Sequence, residues 1–118
     1  MTIINRDQVP LFYDADRAAI RELAGPANQT LQGLSIAEIS IEAGQGTTVH
    51  HHGVLEEVYY ILRGGGRMHL DGHSQEVGPG DTVIIRPGVR HQLQNTGQSE
   101  LVMLAICAPP FSPADTIR

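Results

Sequence analysis

Three histidines stand in a row, His50, His51 and His52, with Glu57 shortly after them and His91 much further along the chain. On a strand, residues i and i+2 point to the same face. His50 and His52 would then converge while His51 points away; on a helix the same pair would diverge. Glu57 follows a short connection through Gly53, at the head of the next strand, where a hairpin could return its carboxylate beside the two imidazoles. Glu57, Tyr59 and Ile61 would share that inward face. His91 follows Pro87-Gly88, also at the start of a strand. Three neutral imidazoles and one carboxylate suit a first-row divalent ion. They also leave coordination positions open, which separates a reactive site from a closed structural one. Taken alone, two histidines two apart on a strand are more commonly surface residues than ligands. Glu56 reads as an exposed neighbour, and His69 and His73, flanking a turn, read as solvated.

The elements that must position these residues are short strands. Leu34 to Glu42 alternates, with Ala37, Ile39 and Ile41 on one face. Thr47 to His52, Glu57 to Leu62, Arg67 to Asp71, Thr82 to Ile85, Gln92 to Asn95 and Leu101 to Ala108 follow as further strands. Asp71-Gly72 is a hairpin signal, and Gly44, Gly64 to Gly66 and Gly78-Pro79-Gly80 mark other breaks. Seven or more strands at regular spacing point to an all-β sandwich or barrel. One exception is expected. Asp16 to Ala24 reads as a short helix, capped by Asp14 or Asp16 and stopped at Gly25-Pro26. The tail from Asp115 to Arg118 reads as loose. The apolar N-terminal segment Met1 to Phe12 is expected to pack on its own barrel or on a partner.

Composition closes off several functions. The 118 residues suit one domain, read as spanning 1–118, and 41% hydrophobic content suits a globular one. A net charge of −5 argues against a nucleic-acid partner. There is no lysine, so no Schiff base can form. Cys107 is the single cysteine, so no internal disulfide forms. It lies on an apolar strand as a small hydrophobe, in alternation with Met103 and Ala105. Met1 to Pro10 carries no secretory pattern and no apolar run is long enough to span a membrane, so a cytoplasmic location is expected. Gly64-Gly65-Gly66 lacks the lysine of a phosphate loop.

The spacing of the site residues resembles a known family. Gly44 to Gly64 reads G-x5-H-x-H-x4-E-x6-G, through Gly44, His50, His52, Glu57 and Gly64. This resembles the first motif of the cupin superfamily. Gly80 to Asn95 reads G-x7-G-x2-H-x3-N, through Gly80, Gly88, His91 and Asn95, and resembles the second. The resemblance implies a double-sheet jelly-roll barrel (a double-stranded β-helix) with a metal inside near one mouth. Its implied ligands are His50, His52, Glu57 and His91, with Asn95 holding the second-motif turn. One position departs: Arg86 stands where the second motif usually has a proline. If Arg86 turned toward the cavity it would offer a partner for a carboxylate or phosphate.

The family resemblance also implies a range of activities. The leading expectation is a dioxygenase-type enzyme acting on a small organic acid, enol or phenol, with iron or manganese favoured and zinc or nickel as alternatives. Glu57 would be a ligand and proton acceptor, and Tyr59 a wall residue or hydrogen-bond donor. The alternatives are a non-redox sugar-phosphate isomerase or epimerase, or a binding module without turnover. Strand parity nominates Tyr59, Ile61, Met68, Leu93 and Met103 as cavity lining. A homodimer is expected, because a barrel this small has few residues to cover its sheet edges.

Overall fold

Strand β10, Leu101–Ala108, is the element around which the rest of the chain is arranged. Its sequence is apolar throughout, as suits a strand flanked on both sides. A computed structural model describes residues 1–118. In it β10 pairs antiparallel with β3, Ser35–Ile41, from Leu101↔Ile41 to Cys107↔Ser35. On its other side it pairs with β5, Glu56–Arg63. Strands β1 (Phe12–Tyr13), β2 (Ala19–Ala24) and β8 (Thr82–Ile85) complete a six-stranded sheet in the order β1-β2-β3-β10-β5-β8. Opposite lies a three-stranded sheet, in which β6 (Gly66–Leu70) is flanked by β7 (His73–Val77) and β9 (His91–Gln94). A two-stranded ribbon, β4 (His51–His52) with β11 (Thr116–Ile117), closes one side. The result is a jelly-roll barrel.

The core forms where inward faces of both large sheets meet. Ile61 and Met103 from one sheet pack with Met68 and Leu93 from the other, all nearly free of solvent. Tight turns set the register. Asp71 and Gly72 both have positive φ, as a two-residue hairpin between β6 and β7 demands. Gly64 ends β5 with φ +78, and a Cβ there would lie 2.5 Å from the Glu100 carbonyl. Only glycine allows that approach. Asn95 is buried beyond β9; its amide donates to the Ile41 and Ser99 carbonyls and its oxygen accepts from the Gly97 amide. It thereby ties the turn before β10 to the end of β3.

The expected helix over Asp16 to Ala24 does not form. Ala19–Ala24 is strand β2, paired with β1 and β3. Arg17 adopts φ 64, which breaks a right-handed helix in its first turn. Asp14 does act as a local acceptor, for the amides of Asp16 and Ala18, but within the β1–β2 hairpin. Ladder hydrogen bonds to β3 outweigh the helix propensity of alanine and leucine here. Helical structure is confined to short 3₁₀ turns at Arg6–Gln8, Pro26–Asn28 and Pro113–Asp115.

The C-terminal tail is not loose either. Asp115 caps the chain before β5, accepting from the amides of Gly53, Val54 and Leu55 at 2.9 to 3.1 Å. The expected strand Thr47 to His52 is shorter than its pattern, because regular pairing starts only at His51. The N-terminal segment packs on its own barrel in part, through β1 and through an Arg6–Glu38 ion pair at 2.8 Å, whereas Met1 and Ile3 stay exposed.

Candidate metal centre

His50, His52, Glu57 and His91 come from three separate parts of the barrel wall. His50 and His91 face each other across an isolated antiparallel bridge, with reciprocal backbone hydrogen bonds of 3.1 and 2.8 Å. His52 lies in β4 and is two residues from His50, so both rings project inward. Glu57 is the second residue of β5, on the face shared with Tyr59 and Ile61. The potential ligand atoms of all four lie within 4.8 Å of one another.

Each imidazole is oriented by a backbone carbonyl at Nδ1. Thr48 O holds His50 at 2.8 Å, Asp115 O holds His52 at 3.1 Å, and Val89 O holds His91 at 2.9 Å. A carbonyl oxygen can only accept, so each Nδ1 carries the proton. In the neutral ring each Nε2 then carries a lone pair. Glu57 Oε1 lies 3.4 Å from His52 Nε2 and 3.3 Å from His91 Nε2. These three buried atoms have no hydrogen-bond partner of good geometry. Lone pairs converging on a carboxylate oxygen, with no proton between them, are a costly arrangement on their own. A divalent cation at their centre would satisfy all of them, and the donor set suits such an ion.

The buried carboxylate draws positive charge to the cluster. Burial pushes the Glu57 carboxyl up, yet the adjacent His52 and His91 rings and the Cys107 thiol outweigh it and bring it down to about 2. Burial lowers His52, but the adjacent Glu57 carboxylate overcomes this and leaves it above its ordinary value, so a proton there competes with a metal ion. Burial lowers His50, so it favours the neutral form that a ligand needs.

The cluster opens into a cavity of about 360 Å³. Its walls are largely apolar: Ala18, Ile20, Ala37, Ile39, Met103 and Ala105. Tyr59 lies in the wall, and burial raises its phenol well above the ordinary range, so it stays protonated. Cys107 faces the cavity too, with Sγ 3.2 Å from Glu57 Oε2. Of the five positions nominated by parity, Tyr59 and Met103 line the cavity, whereas Ile61, Met68 and Leu93 are buried deeper in the core. Arg86 and Arg90 are exposed and do not line it. His69 is engaged by Gln94 outside the cluster, and His73 is exposed.

Several contributors were not legible in advance. Phe111, Pro113 and Thr116 bring the tail over the cavity, and the Phe111 ring lies 6.2 Å from that of His52. Glu22 lines the cavity from β2, where a helical reading had hidden its parity. Only the prolines around Phe111 hinted that the tail had a fixed path.

A family model for the cupin domain matches residues 37–107. An uncharacterised protein of Methanocaldococcus jannaschii is 38% identical over 110 residues, which is 93% of this chain and 88% of that one. An oxalate-binding protein of Thermotoga maritima is 33% identical over 70 residues, or 59% of this chain and 58% of its own. Among solved structures, the polyketide cyclase RemF of Streptomyces resistomycificus superposes with a TM-score of 0.85 at 20% identity, over 100% of this chain and 84% of that one. At that identity the likeness speaks for the fold alone.

Proposed function

This chain belongs to the cupin family, and from that premise we propose that it is a metal-dependent enzyme of the oxygenase type acting on a small organic substrate. His50, His52, Glu57 and His91 would hold one divalent transition ion, iron or manganese in preference to zinc or nickel. The observation that carries this reading is the convergence of unpartnered Nε2 and Oε1 atoms at the wall of an apolar cavity. When bound, an open-sited ion of this kind supplies a place for dioxygen or a substrate oxygen and tunes the electronics of both.

The chain's own residues do the rest. Glu57, anionic at neutral pH, suits a ligand better than a proton acceptor, because a carboxyl held near 2 is a weak base. Tyr59 supplies a protonated phenol at the cavity wall, a hydrogen-bond donor toward bound substrate. Met103, Ala105, Ile39 and Ile20 exclude water and set the size of what enters.

The isomerase reading is the weaker one, because it needs a cationic cluster for phosphate and neither Arg86 nor Arg90 reaches the cavity. No helix is long and apolar enough to cross a membrane. A homodimer is part of the proposal: the outer face of the six-stranded sheet carries an apolar row, Ile36, Ile106, Val58 and Ile84, in direct register.

The test combines elemental analysis with an oxygen electrode. Untagged protein should hold near-stoichiometric iron or manganese. A panel of small phenols, enols and carboxylic acids, oxalate included, should contain a substrate that drives oxygen uptake, and uptake should vanish in His52→Ala. Unchanged uptake in that variant would sink the proposal. Anaerobic turnover of a sugar phosphate would favour isomerase chemistry, and a ligand that elutes unchanged would favour a binding module.

A further inference from the structure

Glu22 sits on the inward face of β2 with Ala18 and Ile20, and lines the cavity into which the metal cluster opens. Across the sheet it stands in register with Ala37, then Ala105, then Tyr59. The two residues between Glu22 and Tyr59 are alanines, so the floor between them is made of methyl groups. The carboxylate lies over Gly25. A Cβ at that position would come 3.2 Å from Glu22 Oε1 and 3.0 Å from Ser35 Cβ, and Gly25 has φ +148. Ser35 is in turn in register with Cys107, and Cys107 with Glu57. Glu22 therefore borders the row that carries the cluster's own carboxylate.

No group in the chain donates to Glu22, unlike the other carboxylates of the cavity. Asp14 accepts from the amides of Asp16 and Ala18, Asp16 from the Thr48 amide, and Glu57 from Cys107. Arg118, the only arginine lining the cavity, is held by the Thr48 hydroxyl at 3.2 Å. Burial raises the Glu22 carboxyl with nothing to offset it. A half-buried carboxylate without a donor is costly, and a donor that arrives with a ligand relieves that cost.

We propose that Glu22 anchors the end of the substrate remote from the metal, and that this end carries a hydroxyl or ammonium donor and not a phosphate or second carboxylate. The inference rests on the reading of an open metal centre and narrows its substrate class.

Titration calorimetry on the metal-loaded protein tests it. The probes are a short series of linear alkylhydroxamates and their ω-amino counterparts, which share one metal-chelating head. At least one amino member should bind about tenfold tighter than its alkyl twin, the size of a charge-assisted hydrogen bond. In Glu22→Gln that preference should vanish while alkyl binding stays as in the parent. Equal binding of every pair in the parent, or a preference that survives in Glu22→Gln, overturns the role of Glu22 and leaves the metal centre standing. The comparison within the parent needs no variant to fold. If neither series binds, the open-centre reading falls and takes this inference with it.

Discussion

Cys107 Sγ donates to Glu57 Oε2 at 3.2 Å, while Glu57 Oε1 faces His52 and His91. The two carboxylate oxygens thus have different tasks. One is tied to β10 through a thiol, and the other is left free among the imidazole lone pairs. The pairing is fixed by backbone register, since Cys107 and Glu57 are direct neighbours across β10 and β5. A lone cysteine in an apolar strand is therefore a positioning group for the cluster's only carboxylate. Burial and the adjacent carboxylate keep its pKa raised, so it stays a thiol that can donate.

Replacing Cys107 by alanine removes that donor and leaves a buried carboxylate oxygen unsatisfied. The expected loss is about 1–3 kcal/mol, the cost of a buried polar group without its partner. Cys107→Ser keeps a donor of similar size and should recover most of it. Urea denaturation of the metal-free proteins reads the difference, and equal midpoints for alanine and the parent would deny the hydrogen bond any role.

The metal-free protein should lose stability in acid, and Glu57 should supply part of that loss. Its folded pKa of about 2 lies below the ordinary 4.5. A depressed carboxyl stabilises the fold above its unfolded value, and this contribution disappears as pH falls through 4.5 toward 2. Glu38 and Asp115 are depressed as well and act in the same direction. Glu57→Gln should therefore shrink the acid limb without abolishing it. His52 has the opposite sign: its raised pKa adds stability below 6.5 that is lost as pH rises through the folded value. Denaturant midpoints measured against pH, in the presence of a chelator, separate the two limbs.

How much of this was legible in the sequence differs between elements. The strands bounded by strong turn signals, β8 after Gly78-Pro79-Gly80 and β10 before Pro109-Pro110, lie where pattern alone puts them. The grouping of His50, His52, Glu57 and His91 was legible because i, i+2 parity and motif spacing act together. Segment 16–24 was not. Its alanines and leucine favour a helix locally, and only the ladder to β3, a non-local partner, makes it a strand. That error concealed Glu22, because a helix sends residues 20 and 22 to different sides, whereas the strand puts both on one inward face. The tail was illegible for a related reason. Asp115 finds its partners in the amides of Gly53 to Leu55, and nothing in a polar tail announces three donors so far away in sequence.

Asp115 should control metal affinity although it touches no metal position with its side chain. Its carboxylate locks the chain between β4 and β5, and its carbonyl orients His52. Outer groups that orient a ligand commonly contribute about ten- to a hundredfold in affinity. Asp115→Ala should weaken metal binding by that order, read by competition with a coloured chelator. Asp115→Asn, which keeps one acceptor oxygen, should fall between. An unchanged affinity in the alanine variant would show that β4 and β11 pairing alone holds His52 in place.

The outer sheet face makes the assembly prediction. Ile84 is 50% exposed, Leu62 43% and Tyr60 39%, and they adjoin the row of Ile36, Ile106 and Val58 across four strands. Such a patch is larger than single scattered apolar residues and marks an association surface. Two-fold homodimers are the commonest soluble assemblies, so a second copy of the chain is a fitting partner. Specific dimers bury roughly 800 Å² on each side, and one face of a sheet this wide can supply it. Sedimentation of the parent should therefore report a dimer. Ile84→Glu places a charge at the exposed β8 end of this apolar row without touching the metal cluster, which lies on the other side of the sheet. That variant should sediment as a monomer and keep its metal. A monomeric parent would refute the dimer, and a monomeric variant that also loses its metal would mean that the sheet, and not its outer face, had been damaged.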